Sequence, residues 1–401
     1  MLRRLSAILV LTTVISLLLP TTSSMAQIIP NPIAPPPPGA APAGDPGAPA
    51  SVPPAGSPEY GIGTHIMGHP ETTARDIALV TGASFQWIKI TVPWRSVEAS
   101  CKGCIDWTDL DRVVLAASQA GLKILARVDH SPAWSRAIPA ENGPPDDPYD
   151  YADFVSEVAR RYANGSAKGT IHAIQIWNEP NLSREWGGTG VEPIINRRAA
   201  VDYMSLLRQS YTLIKEKDPT KIVVSAGLSP TGTNDGTAMD DIQYLEWLYE
   251  NDLDQYSDAI GAHGPGYGSA PGAERLSNPA FPHDSFYFRR IEQVRESMVR
   301  NGDSNKQVWV LEFGWTTDTV NPDRVHYAVT AEQQAQYLVD AFAFAKANWS
   351  PWIGPMFVWN LPDPAWTAAN EQLYWSVTNS DGTPRPAYDA IKAARMDGRL
   401  P

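Results

Sequence analysis

Ile174-Gln175-Ile176-Trp177-Asn178-Glu179-Pro180-Asn181 and Val308-Trp309-Val310-Leu311-Glu312-Phe313-Gly314-Trp315 are the two stretches that decide how this chain folds. Each is an apolar, β-branched or aromatic run that ends in a glutamate, with a Pro or Gly close behind it. A run of this length between breakers reads as a buried strand. A carboxylate at its end is costly unless it faces a polar cleft.

Working outward, the same kind of run recurs along the chain. Candidate strands cover residues 61–65, 87–92, 123–128, 171–177, 222–226, 259–263, 307–312 and 355–359. Between them lie segments with apolar residues at i, i+3 and i+4, namely 109–120, 149–162, 199–217, 242–249, 286–299 and 331–347, and a last helix at 387–395 closes the chain. Helix stops are marked by Gly121, by Asn164-Gly165 and by Asp218-Pro219. Strands alternating with helices eight times over predict an α/β fold, a (β/α)8 barrel over residues 58–401. An open, doubly wound sheet is the alternative. The strand count weighs against it, as does the lack of a glycine-rich phosphate fingerprint after the first strand. The barrel makes a sharp demand, that functional residues sit at the C-terminal ends of strands. Glu179 and Glu312 end the fourth and seventh.

The N-terminus carries no such pattern. Residues 1–26 have the anatomy of an export signal: Arg3 and Arg4, an apolar run, then Ser24-Met25-Ala26 as a small-x-small cleavage site. The apolar run is shorter than the ~20 residues of a membrane span, so the chain is expected to be secreted, with membrane attachment only if the segment is retained. Residues 27–57 are dominated by Pro, Ala and Gly, cannot bury a core, and are expected to form a disordered tether.

The chain has a formal net charge of −12 and no Lys/Arg cluster, which argues against a nucleic-acid partner. Its two cysteines, Cys101 and Cys104, stand in Cys-Lys-Gly-Cys. A zinc site needs four ligands and no second pair or nearby His cluster supplies them, so no metal is expected. In an oxidising compartment the two would close a small disulfide. The 14 Trp are many for this length, and indoles serve both cores and sugar faces.

The runs ending in Asn178-Glu179-Pro180-Asn181 and Glu312-Phe313-Gly314-Trp315 resemble the acid/base and nucleophile motifs of clan A glycoside hydrolases, the cellulase-like family 5 and xylosidase-like family 39 groups above all. Trp94-Arg95-Ser96-Val97-Glu98 is similar to the clan's Trp-x-x-Val-Glu, and Asp381-Gly382-Thr383-Pro384-Arg385-Pro386-Ala387-Tyr388 resembles its run into the last helix. The resemblance implies a retaining glycosidase acting on a β-linked glycan or glycoside. Glu179 would be the acid/base and Glu312 the nucleophile, without a cofactor, their carboxyl groups ~5–5.5 Å apart. Asn178 would bond the sugar 2-hydroxyl. His263 and Tyr267 would flank the site, the tyrosine against the nucleophile, although they are spaced wider than the clan's His-x-Tyr. Trp359 would lie beneath the reacting sugar.

Lys89 is counted among the candidate substrate-binding residues and stands where family 5 relatives often carry an arginine for the nucleophile, with Arg127 as a candidate substitute. His130, Trp134, Trp315 and Trp366 are candidates to line the cleft or extend the sugar platform. Core aromatics and a solvated histidine are the alternatives for these. A carbohydrate-binding barrel without turnover and a transglycosylase are the competing functions.

Overall fold

The computed structural model describes residues 56–137, 142–187, 195–278 and 282–400. The expected export signal lies outside the described residues, as does all of the expected tether but Gly56 and Ser57. Eight parallel strands close into a barrel in sequence order: β1 (Tyr60–Thr64), β2 (Trp87–Pro93), β3 (Lys123–Asp129), β4 (Ala173–Ile176), β5 (Ile222–Val224), β6 (Ala259–His263), β7 (Gln307–Phe313) and β8 (Ile353–Val358). β1 pairs with β8 through Tyr60, Gly61 and Ile62, so no edge is left open. Each expected strand is present, with no end shifted by more than two residues and β6 unchanged.

Around the barrel run α1 (Thr73–Gly82), a single turn α2 (Trp94–Val97), α3 (Thr108–Gln119), α4 (Pro148–Arg161), α5 (Arg197–Lys217), α6 (Asp241–Tyr249), α7 (Arg290–Arg300), α8 (Ala331–Asn348) and α9 (Pro386–Met396). Their starts are written locally. Asp147 caps α4 with Pro148 at its first position, Asn196 caps α5, Asp240 caps α6, and Thr330 and Gln333 form a reciprocal capping box on α8. α1 has only a short apolar face, with Ile77 and Val80 as its buried aliphatics. One expectation needs correction. α7 begins at Arg290 rather than at residue 286, since Phe286 turns away from the helix to stack on Tyr267 at 4.2 Å.

Strand alternation divides the side chains into two populations. Ile88, Ile90 and Val92 of β2, Ile124, Ala126 and Val128 of β3, and Ile174 and Ile176 of β4 point outward into the helix layer. Trp87, Leu125, Ala173, Trp309, Leu311 and Phe357 point inward and fill the lower barrel as a separate apolar cluster. Continuing the inward phase up each strand leads from Trp87 to Lys89, from Leu125 to Arg127 and Asp129, and from Ala173 to Gln175. The barrel therefore has an apolar floor and a charged mouth.

Cys101 and Cys104 form the expected disulfide, in the loop between α2 and α3, with their Cα atoms 5.3 Å apart. Among the described residues, no helix is long and apolar enough to cross a membrane, and no group of three or more His, Cys, Asp or Glu side chains is placed to hold a metal ion.

Candidate active site

A cleft of about 770 Å³ opens at the C-terminal mouth of the barrel. Strand ends supply its floor: His65 after β1, Arg127 from β3, Asn178 and Glu179 after β4, His263 from β6, Glu312 from β7 and Trp359 after β8.

Glu312 reaches this floor through an irregularity in the sheet. The β6–β7 pairing runs from Ala262 opposite Val310 directly to His263 opposite Glu312, skipping a residue. Trp309 and Leu311 face inward, and strict alternation would turn Glu312 outward; the extra residue turns it inward as well. There Lys89 Nζ donates to Glu312 Oε1 at 2.8 Å and to the Leu311 carbonyl at 3.1 Å. Arg127 Nη1 reaches the same Oε1 at 3.3 Å, and its Nε pairs with Asp129 at 2.8 Å. Burial pushes the Glu312 carboxyl up, but Lys89 first, then His263 and Arg127, more than reverse it and hold it below the ordinary range. One oxygen is thus clamped by two cations, while Oε2 stands 3.8 Å from His263 Nδ1.

Glu179 is held differently. Trp177 and Glu179 have φ of 67° and 40°, left-handed values that side chains other than glycine seldom adopt. This twist turns Trp177 out onto Tyr151 and Trp186 and leaves Glu179 at the cleft wall. His263 Nδ1 lies 2.9 Å from Glu179 Oε1 and 3.8 Å from Glu312 Oε2, so one imidazole joins the two carboxylates. Gly227 makes room for it, since a Cβ there would collide with the ring. Arg184 Nη2 donates to the other oxygen, Glu179 Oε2, at 2.9 Å. Burial raises the Glu179 carboxyl, yet the His263 hydrogen bond and charge, then Arg184, carry it well below the usual value.

Of the remaining residues picked from sequence, Asn178 lines the cleft and accepts from Gln175 Nε2 at 3.3 Å. Trp359 lines it beside His65 and Trp366. Tyr267 lines it too, stacked on Phe286 at 4.2 Å and edge-on to Tyr327 at 5.4 Å, and burial first, then the Tyr327 and Glu179 charges, push its hydroxyl up. Four residues require correction. Lys89 is 2% exposed and serves Glu312 instead of lining the cleft. His130, at φ 61°, turns to Asp129 at 2.5 Å and does not line the cleft. Trp134 donates to the Glu98 carbonyl at 2.7 Å and packs edge-on against Trp94, covering the outside of the barrel. Trp315 is fully buried; its indole donates to the Ser269 carbonyl and lies so close over Gly266 that a Cβ there would clash. Loop position alone does not separate a platform tryptophan from a packing one.

Sequence reasoning missed a second set: His65, Arg184, Glu185, Phe286, Arg324, Tyr327, Glu371 and Trp375 all line the cleft. Arg324 pairs with Glu371 at 3.2 Å. Glu185 accepts from Asn142 Nδ2 at 2.9 Å, and burial, then the Glu179 charge, push its carboxyl up to about 7. Burial and the Arg127 charge lower the His65 imidazole to about 4, so it stands neutral in the cleft. Only Arg184-Glu185 carried a signal, by following Glu179 within one turn-rich loop.

No protein-family model matches the sequence, and no curated protein matches it. Solved structures do match. A family 39 glycoside hydrolase from Bacteroides cellulosilyticus WH2 superposes with a TM-score of 0.60 at 18% identity, over 84% of this chain and 63% of its own. GH5_18 from Streptomyces cattleya, in complex with GlcNAc, gives 0.59 at 15% identity, over 86% and 81%. A beta-glycosidase gives 0.57 at 18% identity, over 86% and 97%. The chain thus spans under two thirds of the first of these proteins and most of the other two. At these identities the likeness is one of fold: this chain is built on the (β/α)8 barrel shared by family 39 and family 5 glycoside hydrolases.

Proposed function

We propose that the protein is a retaining glycoside hydrolase that cleaves a β-linked glycan or glycoside by double displacement. The observation that carries the reading is the carboxylate pair bridged by His263. From its two distances, Glu179 Oε1 and Glu312 Oε2 stand no more than about 6.7 Å apart, within reach of the retaining spacing (~5–5.5 Å) and barely touching the inverting one (~6.5–9.5 Å).

In this mechanism Glu312, kept ionised by Lys89 and Arg127, attacks the anomeric carbon through Oε2. Glu179 gives a proton to the departing glycosidic oxygen. A glycosyl-enzyme forms on Glu312, and water activated by Glu179 then releases the sugar. Trp359, Trp366 and Trp375 offer aromatic faces to a saccharide along the cleft. A saccharide ligand agrees with the GlcNAc and Manb1-4GlcNAc named for the Streptomyces enzyme. The two carboxylates suffice for the chemistry, and no cofactor is invoked.

The test is a panel of xylan, mannan, β-glucans and aryl glycosides given to the wild type, Glu179→Gln and Glu312→Gln. Turnover with retained anomeric configuration, lost in the Gln variants, supports the reading. Turnover unaffected by either substitution refutes it. Export belongs to the same proposal and rests on the Arg3-Arg4 and apolar N-terminus. Extracellular protein beginning at Gln27 would support it, and protein retained in the cytoplasm with residues 1–26 intact would overturn it.

A further inference from the structure

The acid/base assignment creates a difficulty at Arg184. His263 holds Glu179 Oε1 at 2.9 Å and Arg184 holds Oε2 at 2.9 Å. A carboxylate that is hydrogen-bonded on both oxygens, one of them by a guanidinium, is held in its ionised form, whereas the first step needs it protonated. Before the first chemical step Arg184 must withdraw, and a guanidinium withdrawing from one carboxylate needs another partner.

One stands beside it. Arg184 Nε is 3.7 Å from Glu185 Oε1. The Arg184 side chain is 66% exposed, whereas the Glu185 side chain is 20% exposed, its Oε2 fixed by Asn142. The backbone beneath them is tied down by hydrogen bonds. Trp177 Nε1 donates to the Glu185 carbonyl at 2.9 Å, Glu185 and Trp186 amides both return to the Leu182 carbonyl, and Trp186 is buried edge-on against Trp177. An anchored loop therefore carries a largely exposed arginine between two carboxyl groups.

We infer that Arg184 is a positioning residue that shuttles between Glu179 and Glu185, and that its transfer to Glu185 is what leaves Glu179 able to carry the catalytic proton. The inference rests on the glycosidase reading. With Arg184 on Glu179, that group is held as the carboxylate, and Glu185, pushed up to about 7, is the one that holds a proton more readily. With Arg184 on Glu185, the charges exchange. One proton leaves Glu185, one arrives on Glu179 through water in the open cleft, and Arg184 stays cationic, so the balance closes. The other groups facing the pair are His263 from β6, Glu312 from β7, Tyr267 from the loop after β6, and Arg127 and Asp129 from β3, which act on Glu185. Arg127, Glu312 and Asp129 are tied to one another or to Lys89, which leaves Arg184 as the cation able to move.

The test is the basic limb of the kcat/KM pH profile, which reports the group that must be protonated. In Arg184→Gln, Glu179 loses the cation that lowers it, and the limb moves to higher pH by ~1 unit or more. In Glu185→Gln, Arg184 has no alternative carboxylate, stays on Glu179, and the limb moves to lower pH. In the double variant the Glu185→Gln shift shrinks to what the direct charge of Glu185 on Glu179 contributes, because the rest acts through Arg184. Arg184→Lys keeps the charge and returns the limb toward the wild type. An unmoved limb in either single variant overturns the proposal, as does a Glu185→Gln shift that persists undiminished without Arg184. The same variants followed by carboxyl 13C NMR, with Glu179 assigned by its loss in Glu179→Gln, give these shifts without turnover. A failure of the glycosidase reading is seen separately, as turnover indifferent to Glu179→Gln.

Discussion

The two carboxylates face one cleft, yet their surroundings are built on opposite plans. Glu312 is held from inside the barrel by Lys89 and Arg127, whose side chains are 2% and 12% exposed. These cations rise from the apolar floor of Trp87, Leu125 and Trp309 and cannot leave without breaking the core. Glu179 is held from outside, by an arginine on a loop with two thirds of its side chain in solvent. A nucleophile needs one charge state throughout the first step, and a fixed cation secures it. An acid/base must change state twice per turnover, and a movable cation allows that. The contrast in burial thus matches the contrast in duty that the proposed retaining mechanism assigns to the two groups.

Removing the carboxylates tests that contrast most strongly. Glu312→Gln, which deletes the covalent intermediate, is expected to lower kcat/KM by ~10⁴-fold or more on every substrate, measured by initial rates on the active members of the panel. Glu179→Gln is expected to cost roughly 10²–10⁴-fold on substrates with poor leaving groups and much less on an activated aryl glycoside, whose departure needs no proton. Equal losses on both leaving groups would erase the distinction between the two roles. Trp309→Ala empties the floor beneath Glu312 and should cost about 3–5 kcal/mol of stability by denaturant titration. The basic limb set by Glu179 should stay in place, and a shift in it would mean that the two surroundings are not separate. Lys89→Met should give the smallest effect, on the acidic limb. Lys89 lowers the Glu312 pKa, and activity needs that group ionised. Activity is therefore present above the pKa and lost as pH falls through it. Without Lys89 the pKa rises, and the acidic limb of kcat/KM moves to higher pH by ~1 unit. A limb that stays put would assign the ionisation of Glu312 to Arg127 and His263.

How much of this could be read in advance differs between floor and mouth. β2 shows the limit. Trp87-Ile88-Lys89-Ile90 reads as a strand, and its alternation places Lys89 on the same face as Trp87, inside the barrel. Its partner lies 223 positions away, and pairing at that separation leaves no local trace. Arg184 shows the reverse case, close in sequence to Glu179 but with nothing in its neighbours to say which way it would turn.

The sequence by itself determined the alternation of strands and helices, the closure into eight, and the two strands that end in glutamate. These follow from hydrophobic period, breakers and caps, which are local properties of the chain. Only the tertiary structure decided which side chains meet in the cleft. Leu311, skipped in the pairing with β6, aims Glu312 inward, and the left-handed turns at Trp177 and Glu179 aim the second carboxylate. The same packing sent Trp315, Trp134 and His130 away from the cleft and brought in Arg184 and Glu185. Direction at a strand end is set by register with neighbouring strands and by the space they leave, and those quantities exist only once the barrel has closed.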